Sequence, residues 1–473
     1  MTEMDAGRGH PEELKGMSEM SGDQALAQQR EPWSWMEAFI LVQFLSPAIL
    51  MFPGTQVIRM PVRVLPYFFS VVMFVVLFQR KNLFSSLPGR APASAWMIAA
   101  LVVLCLSLLH PDTIAKSGLA QLAFQFTIIG PLFWAVFEPV NKHRLLRILW
   151  LCLFCNGLSA VVGALQVYYP QYFMPMGFSS GLSKSYLSAL YYQGVDGRII
   201  MRPPGLSDIP GGATRGAVFS SFLALFFATQ KNTPMGQRIL LLLLLLVAFF
   251  TLYLTQVRSQ FLVLLGVVVV LAFLRIRAGE GARGIALIIL AVVVIAYSFK
   301  LAVNVGGEVV SSRYMGLAET GILESYQQNR GLFLEYTLNR ALWQYPFGAG
   351  IGRWGMMNNY FGGGSSVSSL WAEIQLTGWI YDGGIPLSIC YLGGLITSFF
   401  LVFRVAVHHT DSKLKVAAQA IFCLNLVTAV GIVAGPSFNA QNGIIFWFLY
   451  GLLYSATHST HKENIPPGDE ISG

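Results

Sequence analysis

Long apolar runs alternate with short polar breaks along most of this chain. They fall at about 35–53, 65–79, 95–109, 118–138, 147–168, 213–229, 239–255, 260–274, 284–303, 376–403, 416–434 and 443–457. A helix that crosses a bilayer needs about 20 mostly apolar residues. The runs therefore predict an all-α polytopic membrane protein with about twelve transmembrane helices. The polar stretch 1–34 predicts a disordered cytosolic tail. It does not read as a cleavable signal peptide, because the first apolar run starts late and lacks a small-residue cleavage site. One transmembrane domain is expected over 35–457, with a second cytosolic tail at 458–473.

Composition narrows the class. Of 473 residues, 55% are hydrophobic and 11% are charged, against roughly 25% charged in a soluble domain. This excludes a soluble enzyme and a disordered chain. The net charge of +8 raises the question of nucleic acid. The basic residues are scattered in short loops, however, so they report topology instead. With the N-terminus in the cytosol, the cytosolic loops hold Arg80, Lys81, Arg90, Lys142, Arg144, Arg147, Lys231, Arg238, Arg275, Arg277, Arg283, Arg404, Lys413 and Lys415. That bias obeys the positive-inside rule, and an even span count returns the C-terminus to the cytosol. The five cysteines all lie in apolar stretches. Cys152 and Cys155 form a CxxC, which reads as two core thiols rather than a metal or redox pair.

Two outer segments break the hairpin rhythm, 169–212 and 304–375. Taken together they are rich in Gly, Ser, Tyr, Arg and Trp, which suits a folded cap with stacking surfaces. No internal repeat supports an inverted-repeat transporter.

The outer basic residues are nearly all arginine, including Arg198, Arg202, Arg215, Arg258, Arg313, Arg330, Arg340 and Arg353. Arginine binds phosphate with a planar fork and keeps its charge. Arginines on the side that topology normally depletes suggest an anionic ligand there, with lipid headgroups as the alternative. Arg258 is squeezed between two apolar runs, so it needs a partner or a water-filled cavity unless it snorkels to phospholipid. Segment 321–345 reads as an amphipathic helix. At about 100° per residue, Arg330 falls within the stripe of Tyr326, Phe333, Leu334 and Ala341, and Arg340 at its edge. After it come Pro346, Gly348, Gly350, Gly352 and Arg353, where alternate glycines permit positive φ and close backbone approach. Glu373 stands beside Trp371 at the start of a span. There it is a candidate general base, or else the salt-bridge partner of a nearby arginine. Metal chemistry finds little support, since His110 is the one outer histidine and no Asp-x-Asp pair occurs.

This order of features resembles the O-antigen ligase and polysaccharide polymerase superfamily. It comprises an Arg opening a span after a tight hairpin, an Arg-bearing outer helix, Pro-x-Gly-x-Gly-x-Gly, and a polar residue eleven positions before Gly384. The resemblance covers about 200–400. It implies a GT-C-like membrane glycosyltransferase that moves glycans from an undecaprenyl diphosphate carrier on the outer face of the bacterial inner membrane, without a metal or other cofactor. Carried over, Arg258 and Arg330 would hold the diphosphate, and Arg202, Gly348, Gly350 and Gly352 match the family's motifs and would contact substrate. Beside them, Glu373, which departs from the family's pattern, is the candidate base, and Arg340, Arg353 and Trp371 are candidate substrate contacts, while Tyr191, Tyr192, Trp354, Tyr360 and Trp371 offer faces for sugar stacking. The implied partners are the lipid-linked glycan donor, a glycan or lipid acceptor, membrane lipid, and flippase and chain-length regulator proteins, but no nucleic acid. Ligases of this family carry His-Asn where Glu373 stands, so the resemblance favours a repeat-unit polymerase over a ligase that transfers glycan to a lipid or protein. From another class, the competing expectation is an organic-anion or inorganic-carbon transporter.

Overall fold

A computed structural model describes residues 32–52, 54–81, 91–174, 189–193, 199–363 and 367–463. Most of the two expected tails lies outside these residues, as do Arg90 and Arg198. The described chain is mostly helical. Its helices are α1 (Trp35–Leu45), α2 (Arg59–Lys81), α3 (Pro92–Ser107), α4 (Ala115–Ala135), α5 (Lys142–Tyr168), α6 (Ala213–Ala228), α7 (Met235–Thr255), α8 (Arg258–Arg277) and α9 (Gly281–Thr320). There follow α10 (322–344), α11 (Gly355–Phe361), α12 (Gln375–His408), α13 (Ser412–Ala434) and α14 (Gln441–Glu463).

Each of the twelve apolar runs falls in a helical segment. Eight of the helices are long and apolar enough to cross a membrane, and Trp35–Met51, Pro92–Ser107 and Ala213–Ala228 are shorter apolar helices. The segment 169–212 adds one departure from an all-helical chain, a small antiparallel hairpin in which Tyr191 pairs with Met201.

Helix starts are written locally. Ser34 caps α1 in a capping box with Glu37. Asn141 caps α5 and Asp411 caps α13 through their side chains, each satisfying backbone N–H groups that the first turn leaves free. These caps also tie helices together. Glu37 is buried and meets Arg144 at 3.5 Å and Arg147 at 3.3 Å. Lys142 meets Asp411 at 2.6 Å. Such contacts sort the helix ends into two sets. At one end, which we call the tail end, α1 starts, α5 starts and α12 finishes. There too Arg275 of α8 donates to Thr229, just past α6, at 2.9 Å. At the other, the loop end, Arg59 and Arg63 of α2 hold Asp208 at 2.5 and 2.8 Å. Arg215 of α6 reaches Gln441 of α14 there, at 2.7 Å. The alternation is that of an up-and-down bundle.

The core between the ends is apolar and aromatic. Phe39, Trp134 and Phe448 join α1, α4 and α14. Gly393 and Gly394 of α12 lie directly against Trp96 and Met97 of α3, because small residues let helices approach where lipid offers no hydrophobic drive. The segment 304–375 is built as an extension of α9, then α10, a glycine loop and α11. Its described residues are thus mostly helical.

Candidate functional site

The loop end is organised by a break in α12. Gly384 sits at φ 68° and ψ −153°, which interrupts the helical hydrogen bonds around it. The loop after α10 fills the gap. Ile385 N–H donates to Pro346 O at 2.8 Å, and Ala349 N–H donates to Tyr381 O at 2.8 Å. Non-helical backbone this far along a span is tolerated when protein supplies the missing partners.

The three alternate glycines make that seating possible. Gly348, Gly350 and Gly352 have φ of 99°, 100° and 78°. A Cβ on Gly348 would stand 3.2 Å from Gly383 Cα, one on Gly350 would meet Thr113 N at 3.1 Å, and one on Gly352 would meet Ser117 O at 2.5 Å. Close backbone approach is the feature their spacing suggested. Arg353 is built into this loop. It is 6% exposed and donates to Ala349 O at 2.7 Å, Ser368 O at 3.1 Å and Asp112 at 3.2 Å. Its guanidinium therefore faces the protein. Trp354 is 1% exposed and packs against Gly378, so it offers no free stacking face. Trp371 is 73% exposed.

Helix α10 is strapped to the start of α12. Thr337 and Thr377 share a hydrogen bond of 2.5 Å, Tyr336 and Tyr381 hydroxyls meet at 3.4 Å, and Tyr326 OH donates to Val433 O at 3.1 Å. Arg330 forms an ion pair with Glu373. The structure thus brings these two candidates together, both half-buried. Two π-helical turns, Gln327–Gly331 and Thr337–Ala341, interrupt α10. They carry Arg330 and Arg340 respectively, and such turns are frequent at functional sites. Arg330 is half-buried, with its side chain 37% exposed. Arg340 is exposed.

A second group gathers at the α7–α8 hairpin tip. Gln256 turns it with φ 58°. Three arginines converge there. Arg202 donates to Thr255 O at 3.2 Å, Arg313 donates to Gln256 O at 3.1 Å, and Arg258 donates to Arg313 O at 3.4 Å. Arg313 also lies 5.0 Å from the Tyr192 ring centroid. Among the described residues, none of the three has a carboxylate partner. Burial, followed by the charge of Arg313, pulls the Arg202 guanidinium below its ordinary pKa. Arg202 and Arg258 are brought together through Arg313. Among the described residues, no hydrogen bond or ion pair joins this group to the Arg330–Glu373 pair, although both lie at the loop end.

One group escaped the sequence reading. Asp382 of α12 is 1% exposed. Its Oδ1 accepts from Gly352 N–H at 3.1 Å and its Oδ2 from Gln121 at 2.8 Å. Gln121 and Gln125 both reach Asn439, at 3.3 and 2.8 Å, and Tyr391 OH donates to Gln125 at 2.7 Å. The signal was present as an acidic residue inside the apolar run 376–403, which by default marks a special position. Asp208, held by Arg59 and Arg63, was also missed. Among the described residues, no three His, Cys, Asp or Glu side chains cluster as metal ligands.

Fold and site define a helical protein of the membrane-spanning type, with an arginine-rich end built around a broken helix. No protein-family model matches the chain, and no curated protein matches it.

Proposed function

We propose that this chain is a metal-independent glycosyltransferase of the bacterial inner membrane. It joins lipid-diphosphate-linked oligosaccharides on the outer face, as a repeat-unit polymerase for a surface polysaccharide. The observation that carries the reading is the convergence of Arg202, Arg258 and Arg313 on one hairpin tip, with no carboxylate partner among the described residues. A diphosphate is the ligand chemistry such a cluster suits. In this reading the loop end faces outward and both termini are cytosolic, because the basic short loops lie at the tail end.

The reaction needs little more than charge and a base. A hydroxyl oxygen of the acceptor bonds to the anomeric carbon of the donor. The bond from that carbon to the diphosphate oxygen breaks, and its electron pair leaves with the lipid diphosphate. The hydroxyl proton passes to the Glu373 carboxylate. Arg202 and Arg258 bind the departing charge. Arg330 joins them by exchanging partners. While it holds Glu373, the carboxylate is occupied as a counter-ion. When the diphosphate takes over Arg330, Glu373 is released to accept a proton. Exposed Trp371 and Arg340 are placed to meet substrate, whereas Arg353 and the three glycines shape the floor beneath it.

Preorganised cations of this kind contribute roughly a hundredfold or more to turnover each. Purified Arg258→Ala and Arg330→Ala, assayed with a lipid-diphosphate glycan, should fall by that order while remaining folded. Full turnover by both would remove the proposal. Supplying a lipid or a protein acceptor in place of a second glycan separates a ligase from a polymerase.

A transporter of organic anions or inorganic carbon draws on one observation, the break at Gly384 beside buried Asp382. Discontinuous helices commonly mark transport sites. Here the chain's own loop occupies the break and bonds its backbone, which favours the enzymatic reading. Flux of labelled anion into proteoliposomes would reverse that preference.

A further inference from the structure

Past its break, α12 exposes an apolar stripe. Ile389, Leu392, Ile396 and Phe400 are exposed on one face, with half-buried Ile385 at its head. Steps of three and four residues keep them in line along the helix. Exposed Arg404 closes the stripe towards the tail end. From Ile385 to Arg404 is about 28 Å at the helical rise, close to the ~30 Å thickness of a bilayer's hydrocarbon core. The stripe therefore has the composition and the length of a lipid-facing surface. Before the break the same helix behaves differently. Residues 377–384 are all buried, where Thr337, Tyr345 and Trp354 pack on Thr377, Tyr381 and Gly378.

Two aromatic rings stand near the boundary between these sections. Pro346 accepts from Ile385 N–H, so Phe347, the next residue, lies at the head of the stripe. It is 78% exposed. Trp343, in the last turn of α10, is 73% exposed. Its neighbours Leu342 and Tyr345 pack against the buried cluster of Ala341, Ala349 and Tyr381, which leaves Trp343 on the outside.

We propose that Phe347 and Trp343 are seated in the lipid interface of the leaflet at the loop end, so that α10 and the glycine loop rest on the bilayer at the depth of Gly384. The length of the stripe sets the edge of the hydrocarbon at the break. The lipid that covers the stripe continues over Phe347, whose apolar ring is otherwise left in water. Trp343 pairs an apolar body with one N–H, the kind of ring that collects at a membrane–water interface. The section of α12 that stands beyond the edge is covered by protein and needs no lipid. This seating follows from the membrane-spanning class alone and uses no part of the transfer reaction.

Spin labelling of the full-length protein in nanodiscs of phosphatidylethanolamine and phosphatidylglycerol tests the seating. Cys105, the exposed cysteine, is first replaced by Ala. Nitroxides are then attached through Phe347→Cys, Trp343→Cys, Ile389→Cys and Glu335→Cys, the last at an exposed position of α10. Collisions with oxygen, which concentrates in lipid, are compared with collisions with a water-soluble nickel chelate. Position 389 should favour oxygen most, and positions 347 and 343 should favour it severalfold over 335. A preference at 347 and 343 equal to that at 335 would put both rings in water and overturn the seating. Closure of both positions to both reagents would mean that protein covers them, which overturns it too. If the labelled variants do not fold, lipids brominated near the headgroup decide. They should quench the fluorescence of the wild-type protein more than that of Trp343→Phe, and equal quenching would contradict the proposal.

Discussion

The two halves of the loop end treat charge in opposite ways. Around the α12 break the charged side chains Arg353, Asp382, Arg330 and Glu373 are each matched within the chain. Arg353 meets two carbonyls and Asp112, Asp382 meets a backbone N–H and Gln121, and Arg330 meets Glu373. Among the described residues at the α7–α8 tip, the guanidiniums of Arg202, Arg258 and Arg313 donate to backbone carbonyls, Arg313 also faces the Tyr192 ring, and none meets a carboxylate. A self-satisfied network holds a shape. A cluster of like charges held by neutral groups is ready for an outside counter-charge. In the proposed reading the first region is the scaffold and the second the grip, and the Arg330–Glu373 pair changes sides.

Breaking the scaffold should have the largest effect. Gly384→Ala places a side chain against Pro346 at positive φ, and Gly352→Ala meets Ser117. Strain and overlap together cost at least ~2 kcal/mol, so both variants should show a lowered unfolding midpoint and little folded protein. Next comes Asp382→Asn, which turns a pure acceptor into a group whose NH2 faces a donor. It should lose roughly 1–3 kcal/mol, measured as a lower midpoint. A midpoint equal to wild type would mean the network is not held as described.

Glu373→Gln separates the regions differently. The fold should survive, donor binding should change little, and turnover should fall by about 10²–10⁴-fold. Unchanged turnover would leave Glu373 as a structural partner of Arg330 alone. The smallest effect belongs to the tail end. Burial would raise the Asp411 pKa, but hydrogen bonds from Lys142 and from the Leu414 and Lys413 amides outweigh it, so the carboxyl sits below its ordinary range. Its stabilisation is present above the unfolded-state pKa and disappears as the pH falls through the depressed folded value. Asp411→Asn should flatten that acid-side loss slightly in a pH series of unfolding midpoints.

The periodicity of the chain was informative where one rule applied at a time. Long apolar runs became helices, and alternate glycines became positive-φ residues pressed on neighbouring backbone. A fixed helical angle put Arg330 on the inward side, yet the two π-helical turns of α10 alter that phase and could not be read from residue types. Arg353 looked like its neighbouring arginines. That its guanidinium turns inward depends on Asp112 and Ser368, distant in the chain. Asp382 was legible as an acid among apolar residues. What it bonds was not, because Gln121 and Asn439 lie on other helices.

The grip itself is tested most directly by binding. Wild-type protein and Arg258→Ala, both in nanodiscs, are titrated with a lipid diphosphate. The account requires at least a tenfold weaker affinity in the variant, about 1.4 kcal/mol, with an unfolding midpoint like that of the wild type. Equal affinity in a folded Arg258→Ala would contradict it.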